Sequence, residues 1–221
     1  MPEYTGIFEK CPLFDGISAA EYPKMLSCLH AKTRNYRKNE VIFTEGEKVR
    51  YIGVVLHGSV QISRTDYFGN RSILATVETA ELFGESFACA EVAAIPICAE
   101  AQTDTTVLLL EFQKLADTNA PVCGLHGKLI FNLLKITASK NLLLHQKLEI
   151  TAKRTTKEKL MAYLLLQAKK ADSRCFTVPF DRQALADYLE VDRSGLSVEI
   201  GKLRRAGVLK CSKNRFELLK R

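Results

Sequence analysis

The chain has 221 residues, 47% of them hydrophobic and 26% charged, with a net charge of +7. That balance belongs to a globular protein with room for one large or two modest domains, and it excludes disordered, collagen-like and disulfide-scaffold chains. No apolar run reaches the roughly 18 residues needed to span a bilayer, and the opening Met1-Pro2-Glu3-Tyr4 lacks the basic-then-apolar pattern of a secretory signal, so a cytoplasmic protein without a membrane partner is expected.

The first element is a short helix from Ser18 to Leu29, opened by Ser18 with Glu21 three residues on, a capping box. From Glu40 to Phe112 short apolar segments follow, several with period two: Val41-Ile42-Phe43, Ile52/Val54/Leu56, Val60/Ile62, Ile73/Ala75/Val77 and Val107 to Leu110. Turn residues at Glu45-Gly46-Glu47, His57-Gly58-Ser59 and Phe68-Gly69-Asn70 separate them, which predicts a small antiparallel barrel or roll. After Pro121 the period becomes helical. Val122, Leu129, Ile136, Leu143 and Ile150 recur every seven residues, with Leu125, Leu133 and Leu144 alongside. A seam of that length and period favours a partner helix, hence self-association, over packing on the chain's own barrel.

Charge is unevenly placed. Residues 151–221 hold 17 Lys and Arg against 8 Asp and Glu, leaving 15 against 17 in the first 150. A basic terminal domain on a near-neutral body suits a polyanion partner, nucleic acid before membrane. Within it, Thr155 to Lys170 reads as an amphipathic helix after a capping-box-like Thr156-Lys-Glu-Lys, and Asp172-Ser173-Arg174 as a polar break. Asp181 then caps a helix over Arg182 to Leu189 that buries Ala184, Leu185 and Leu189. Glu190-Val191 turns, and Asp192 caps a second helix ending at Gly207, a helix-turn-helix. At about 100° per residue, Leu196, Ile200 and Leu203 share one side of the second helix. Ser194, Val198, Gly201 and Arg205 lie opposite, flanked by Arg193, Ser197, Lys202 and Arg204. Small and basic side chains on an exposed face let a helix enter a groove while cations meet phosphates. Gly195 and Gly201 each weaken the helix by about 1 kcal/mol relative to Ala, a cost that close approach to DNA rationalises. Val208 to Lys210 and Arg215 to Leu218, joined by Cys211 to Asn214, read as a hairpin wing carrying Lys210, Lys213 and Arg215.

With these segments in place the chain resembles the CRP/FNR family of bacterial transcription regulators over nearly its whole length. Pro12-Leu-Phe-Asp-Gly-Ile-Ser, Glu40-Val-Ile-Phe-Thr-Glu-Gly-Glu, Gly53-Val-Val-Leu-His-Gly-Ser-Val, Phe68-Gly-Asn-Arg-Ser and Leu82-Phe-Gly-Glu resemble the family's sensor roll. Arg154-Thr-Thr-Lys-Glu-Lys-Leu and Asp187-Tyr-Leu-Glu-Val-Asp-Arg-Ser-Gly-Leu-Ser resemble its DNA-binding module. The resemblance implies an α+β chain: a cyclic-nucleotide-binding-type β-roll over 1–120, a dimerisation helix over 121–150 and a winged helix-turn-helix over 151–221. It implies a homodimer on a palindromic double-stranded operator, with a small-molecule effector, and RNA polymerase stands as a further expected partner.

Carried over by position, the family's phosphate contacts fall on Arg182 and Gln183 and its base readers on Arg193, Ser194 and Val198. Ser197, Lys202 and Arg205 on the helix and Lys213 on the wing complete the expected DNA-contacting set. Val198 departs from the family, where an arginine that pairs with guanine is common. That pairing is worth about 1–3 kcal/mol of discrimination, so a different half-site is expected, with Val198 against a thymine methyl. The expected effector set is Phe83, Gly84, Glu85, Ser86, Ile95 and Pro96. Cyclic-nucleotide binders follow Gly-Glu with an Arg-Ser pair that neutralises the phosphate; here Gly84 and Glu85 are present but the pair falls on Ile95 and Pro96. A phosphate without a cation in a half-buried pocket is costly, which argues against cyclic AMP.

Seven cysteines, without CxxC spacing, suggest neither disulfides nor zinc, and a lone N-terminal Cys11 does not support an iron–sulfur cluster. His57, Cys89 and Cys98 are haem ligands in name only, so no cofactor is expected. Cys89 and Cys98 read as buried thiols, with redox sensing the alternative. No nucleophile elbow, HExxH, P-loop or paired-carboxylate motif points to an enzyme. The competing function is a small-molecule or redox sensor without sequence-specific DNA binding.

Overall fold

The computed structural model describes residues 2–65, 67–68, 71–116 and 124–219. It divides the chain into two units, Met1–Ala138 and Ser139–Arg221. The expected turn residues Gly69 and Asn70, the 120/121 boundary, Pro121, Val122 and Cys123 lie outside the described residues.

The first unit opens with α1 (Thr5–Phe8) and α2 (Tyr22–Cys28). Between them Ser18 donates its amide and hydroxyl to Glu21 at 2.8 and 2.7 Å, and these bonds hold the Glu21 carboxyl below the usual carboxylate range. Eight strands follow: β1 (Lys32–Tyr36), β2 (Val41–Phe43), β3 (Tyr51–His57), β4 (Val60–Thr65), β5 (Arg71–Val77), β6 (Leu82–Phe83), β7 (Cys98–Ala101) and β8 (Thr105–Glu111), with α3 (Glu85–Cys89) before β7 and α4 (Phe112–Ala116) after β8. They form two antiparallel sheets, in the orders β1-β8-β3-β6 and β2-β7-β4-β5. The roll therefore starts at Lys32, ahead of the expected Glu40.

Alternation in β8 sets the layers. Val107 and Leu109 join Val55 and Phe83 from the same sheet and Val60, Val77 and Ala99 from the other in a core between the sheets. Leu108 and Leu110, with Ile52, Val54 and Leu56, face a second core shared with Phe8, Phe14, Met25 and Leu29. A sheet buried on both faces reads as near-continuous apolar runs rather than clean alternation. Gly53 is the tightest point: a Cβ there would lie 2.4 Å from the Phe83 ring.

α5 (His126–Thr151) is a single helix of 26 residues with two apolar sides. Leu125, Leu129 and Leu133 are buried in the first unit's core and Ile150 in that of the second. Asn132 sits on this buried side and donates to the carbonyls of Leu13 and Asp15 at 3.0 and 2.9 Å. Among the described residues of the expected seven-residue seam, Leu129 and Ile150 are buried within the chain, Ile136 is half-buried and Leu143 is exposed, as is Leu144 alongside it. A further exposed stripe, offset from the seam, runs through Phe131, Leu134, Ala138, Leu142, His145 and Leu148.

In the second unit, the capping box of α6 (Thr156–Lys170) starts one residue earlier than expected. Thr155 is the cap, accepting from Glu158 N–H at 3.2 Å while Glu158 accepts from Thr155 N–H at 3.1 Å. β9 (Cys175–Thr177), directly after the expected polar break at Asp172 to Arg174, joins the wing, β10 (Leu209–Ser212) and β11 (Arg215–Leu218), in the order β10-β11-β9. The helix-turn-helix is α7 (Arg182–Leu189) and α8 (Arg193–Arg205). Asp181 caps α7, accepting from Ala184 N–H at 2.8 Å, and Ala186 rather than Ala184 is buried. Glu190 turns the chain in the left-handed region at φ +53. Asp192 accepts from the Ser194 hydroxyl and from Gly195 N–H at 2.7 Å, and these bonds, the first above all, hold its carboxyl below its ordinary value.

Two outcomes test this packing. Gly53→Ala is expected to destabilise the first unit by about 1–3 kcal/mol through overpacking, and Phe83→Leu in the same chain to restore part of that loss, measured as a double-mutant cycle in denaturant. Asp192→Asn keeps a cap but removes the titration. Because the folded Asp192 pKa is depressed, its stabilisation exists above the unfolded value and disappears as pH falls through the folded one. The wild-type advantage over this variant in thermal unfolding should therefore shrink below about pH 4.

Candidate nucleic-acid interface

The site is built on α8. Leu196, Ile200 and Leu203 are buried, at 0%, 4% and 3% exposure, beside Leu160, Leu164 and Leu185. This anchoring turns Arg193, Ser194, Ser197, Val198, Lys202, Arg204 and Arg205 outward, and Val198 is 53% exposed. Gly201 faces open space, with nothing within 4 Å of a Cβ built there.

The cations differ in how free they are. Among the described residues Arg193, Arg204 and Arg205 form no ion pair, whereas the Lys202 ammonium lies 2.6 Å from the Glu199 carboxylate. The Ser194 hydroxyl is committed to Asp192, and the Ser197 hydroxyl donates to the Arg193 carbonyl at 2.9 Å. Gln183 donates to Asp187 at 2.9 Å along α7.

The wing stands beside this helix. Its connection is shorter than expected, with Cys211 and Ser212 inside β10 and Lys213 at φ +52 forming the turn with Asn214. The Arg182 guanidinium donates to the Lys213 carbonyl at 3.3 Å and lies 5.8 Å from the centre of the Phe216 ring. Arg182 and Lys213 therefore come together from separate elements, and the former also braces the turn that presents the latter. Val198, Gly201, Arg204, Arg205 and Lys210 line an open groove between α8 and β10, floored by the buried Leu209. Arg204 and Lys210, read from sequence as flank and wing, acquire this shared position only through the packing of α8 on β10. Their clustering with Arg205 over an unpaired charge excess was the available signal.

The expected effector residues differ in burial and in what they touch. Phe83 and Gly84 meet Phe43: the two rings lie 5.2 Å apart, and a Cβ on Gly84 would come 2.6 Å from the Phe43 ring. Glu85 is buried and accepts from the exposed Ser86 hydroxyl at 3.4 Å. Ile95 is buried on the helical side of the roll, where its amide donates to the Glu47 carbonyl at 3.0 Å, and Pro96 is exposed. Burial, then the charge of Glu85, pushes the Cys89 thiol up, the opposite of the shift that activates a thiol.

Comparison with known proteins places these features. The model of the cyclic nucleotide-binding domain matches residues 33–118, and that of the Crp-like helix-turn-helix domain matches residues 158–221. No curated protein sequence matches the chain. Among solved structures, FixK2 from Bradyrhizobium japonicum aligns with a TM-score of 0.51 at 24% identity, over 86% of this chain and 93% of that one. CprK complexed with OCPA aligns at 0.66 and 15%, over 89% and 91%. The c-di-GMP responsive regulator CLP of Xanthomonas campestris aligns at 0.59 and 18%, over 92% and 100%. At these identities the structural likenesses speak for the fold, and they agree with the domain matches. No helix among the described residues is long and apolar enough to cross a membrane. With a cyclic nucleotide-binding-type domain followed by a Crp-like helix-turn-helix on one chain, the protein belongs to the CRP/FNR family of DNA-binding transcription regulators.

Proposed function

We propose that the protein acts as a homodimer that reads a palindromic operator through α8 and the wing, under the control of an effector other than cyclic AMP. The observation that carries this reading is the outward face of α8, where unpaired Arg193, Arg204 and Arg205 surround the exposed Val198. Arg193, Ser194 and Val198 are assigned to the base edges. Arg182, Gln183, Ser197, Lys202, Arg205 and Lys213 are assigned to the backbone, with Arg204 and Lys210 added by their place in the groove. A DNA target of this kind puts the protein in the cytoplasm, and no residues are assigned to contact with RNA polymerase.

Self-association is supported by the exposed stripe of α5. Phe131, Leu134, Leu142 and Leu148 are 57–62% exposed on one 26-residue helix, and such a row is stabilised by a second helix of the same kind. Two-fold symmetry then sets half-sites about one helical turn apart, roughly 34 Å. The reading against cyclic AMP is supported by the apolar filling around Gly84 and by the burial of Ile95 where the family's phosphate-binding arginine falls. The related fold is seen with OCPA in CprK and is described as c-di-GMP responsive in CLP, so different small molecules fit this architecture.

Selection of bound sites from random DNA tests the interface. A palindrome without guanine at the step facing Val198 is expected, and Val198→Arg should bring guanine in. Arg193→Ala should weaken specific binding by about 1–3 kcal/mol, with affinity falling log-linearly in salt for both proteins. Binding that ignores salt and Arg193 would favour the sensor module without a DNA role. Leu134→Glu with Leu148→Glu, both at exposed positions, should sediment as a folded monomer with lowered operator affinity.

A further inference from the structure

β1 and β2 are the edge strands of their two sheets, and the corner they leave with the segment 44–51 is a cavity of about 230 Å³. Period two along β1 places Lys32 and Arg34 on the cavity, while Lys48 and Arg50 reach it from either side of the buried Val49. Among the described residues none of these four cations forms an ion pair, and Glu47 is the single carboxylate in the lining. The floor is different in kind. Half-buried Tyr36, Phe43 and Tyr51 supply ring surface over the buried Leu109.

Four converging like charges repel one another, and an anion between them converts that repulsion into attraction. The rings accept a flat apolar body, and the cations above can also lie on its face. The volume exceeds the roughly 150 Å³ that holds a benzene ring and falls short of the roughly 300 Å³ at which drug-sized pockets begin. We propose that this corner of the roll binds a small organic anion, a carboxylate or phosphate carried on a single ring. An acidic protein surface would meet the same cations but leave the concave aromatic floor without a partner. The cavity is separate from the expected effector residues but touches them through Phe43, which lines it and whose ring packs on Phe83 and against Gly84. An occupant pressing on Phe43 thus bears directly on the Gly84-Glu85 segment. That regulatory meaning rests on the effector reading above; the binding does not.

Calorimetric titration of the full chain without DNA tests the site, using phenyl phosphate, benzoate and the uncharged benzamide. One of the two anions should bind saturably and at least about tenfold more tightly than benzamide, and which one does so identifies the headgroup. Arg34→Glu with Lys48→Glu, both exposed, should lose at least about tenfold in that affinity while keeping the wild-type circular dichroism. Absence of saturable binding of both anions at millimolar concentration overturns the proposal, as does binding that survives the charge reversal. Inorganic phosphate binding as tightly as phenyl phosphate removes the role of the rings and overturns it as well. Gel retardation on the same samples separates the two readings. A wild-type chain that binds DNA but neither anion sinks the site alone, and wild-type anion binding that leaves DNA affinity unchanged sinks the regulatory meaning alone.

Discussion

Everything at the DNA-facing end depends on burying one side of a thirteen-residue helix. Once Leu196, Ile200 and Leu203 are committed to the core, a period of 3.6 leaves no freedom about which residues face outward. The caps reinforce this. Asp181 and Asp192 each satisfy an amide at a helix start, so the two helices begin at fixed residues and their outward faces are set relative to the turn at Glu190. The basic character of the terminal seventy residues becomes useful only because this anchoring concentrates unpaired arginines on one side, with a valine among them.

α5 shows the same logic with a different outcome. A helix in a small domain usually needs one apolar side, and α5 has two. One is consumed by the chain itself, through Leu129 and Leu133 at one end and Ile150 at the other, with Asn132 fixing the register by its two carbonyl bonds. The other remains in water. Leu129 is buried in the first unit's core and Ile150 in that of the second.

Much of this was legible in the sequence, and the failures share a cause. Strands with buried, alternating apolar residues, both helices of the helix-turn-helix, their capping aspartates and the wing follow directly from local pattern. β1, β6, β7 and β9 do not, and in β1 and β9 the reason is that Lys-Thr-Arg-Asn-Tyr and Cys-Phe-Thr carry little apolar signal. These two are strands only because β8 and β11 offer free edges to pair with. Missing β1 also hid the cationic cavity, since Lys32 and Arg34 share a side only once the segment is extended. Seven-residue spacing marks an apolar side of α5 but cannot say which of its residues the chain's own cores cover and which a second helix would. The effector residues were placed by resemblance, and side-chain packing around Phe43 and Phe83 is not written in any local pattern.

The pairing of Gly53 with Phe83 carries a historical implication. A bare backbone on one strand and a large ring on the next form a lock in which neither half can change size alone: enlarging the first collides with the ring, and shrinking the second opens a void. Descendants of this protein could reopen the interior of the roll to a bulky guest only by passing through a less stable ancestor or by changing both positions together. New chemical specificities should therefore arise more readily at the roll's open corner than at its centre.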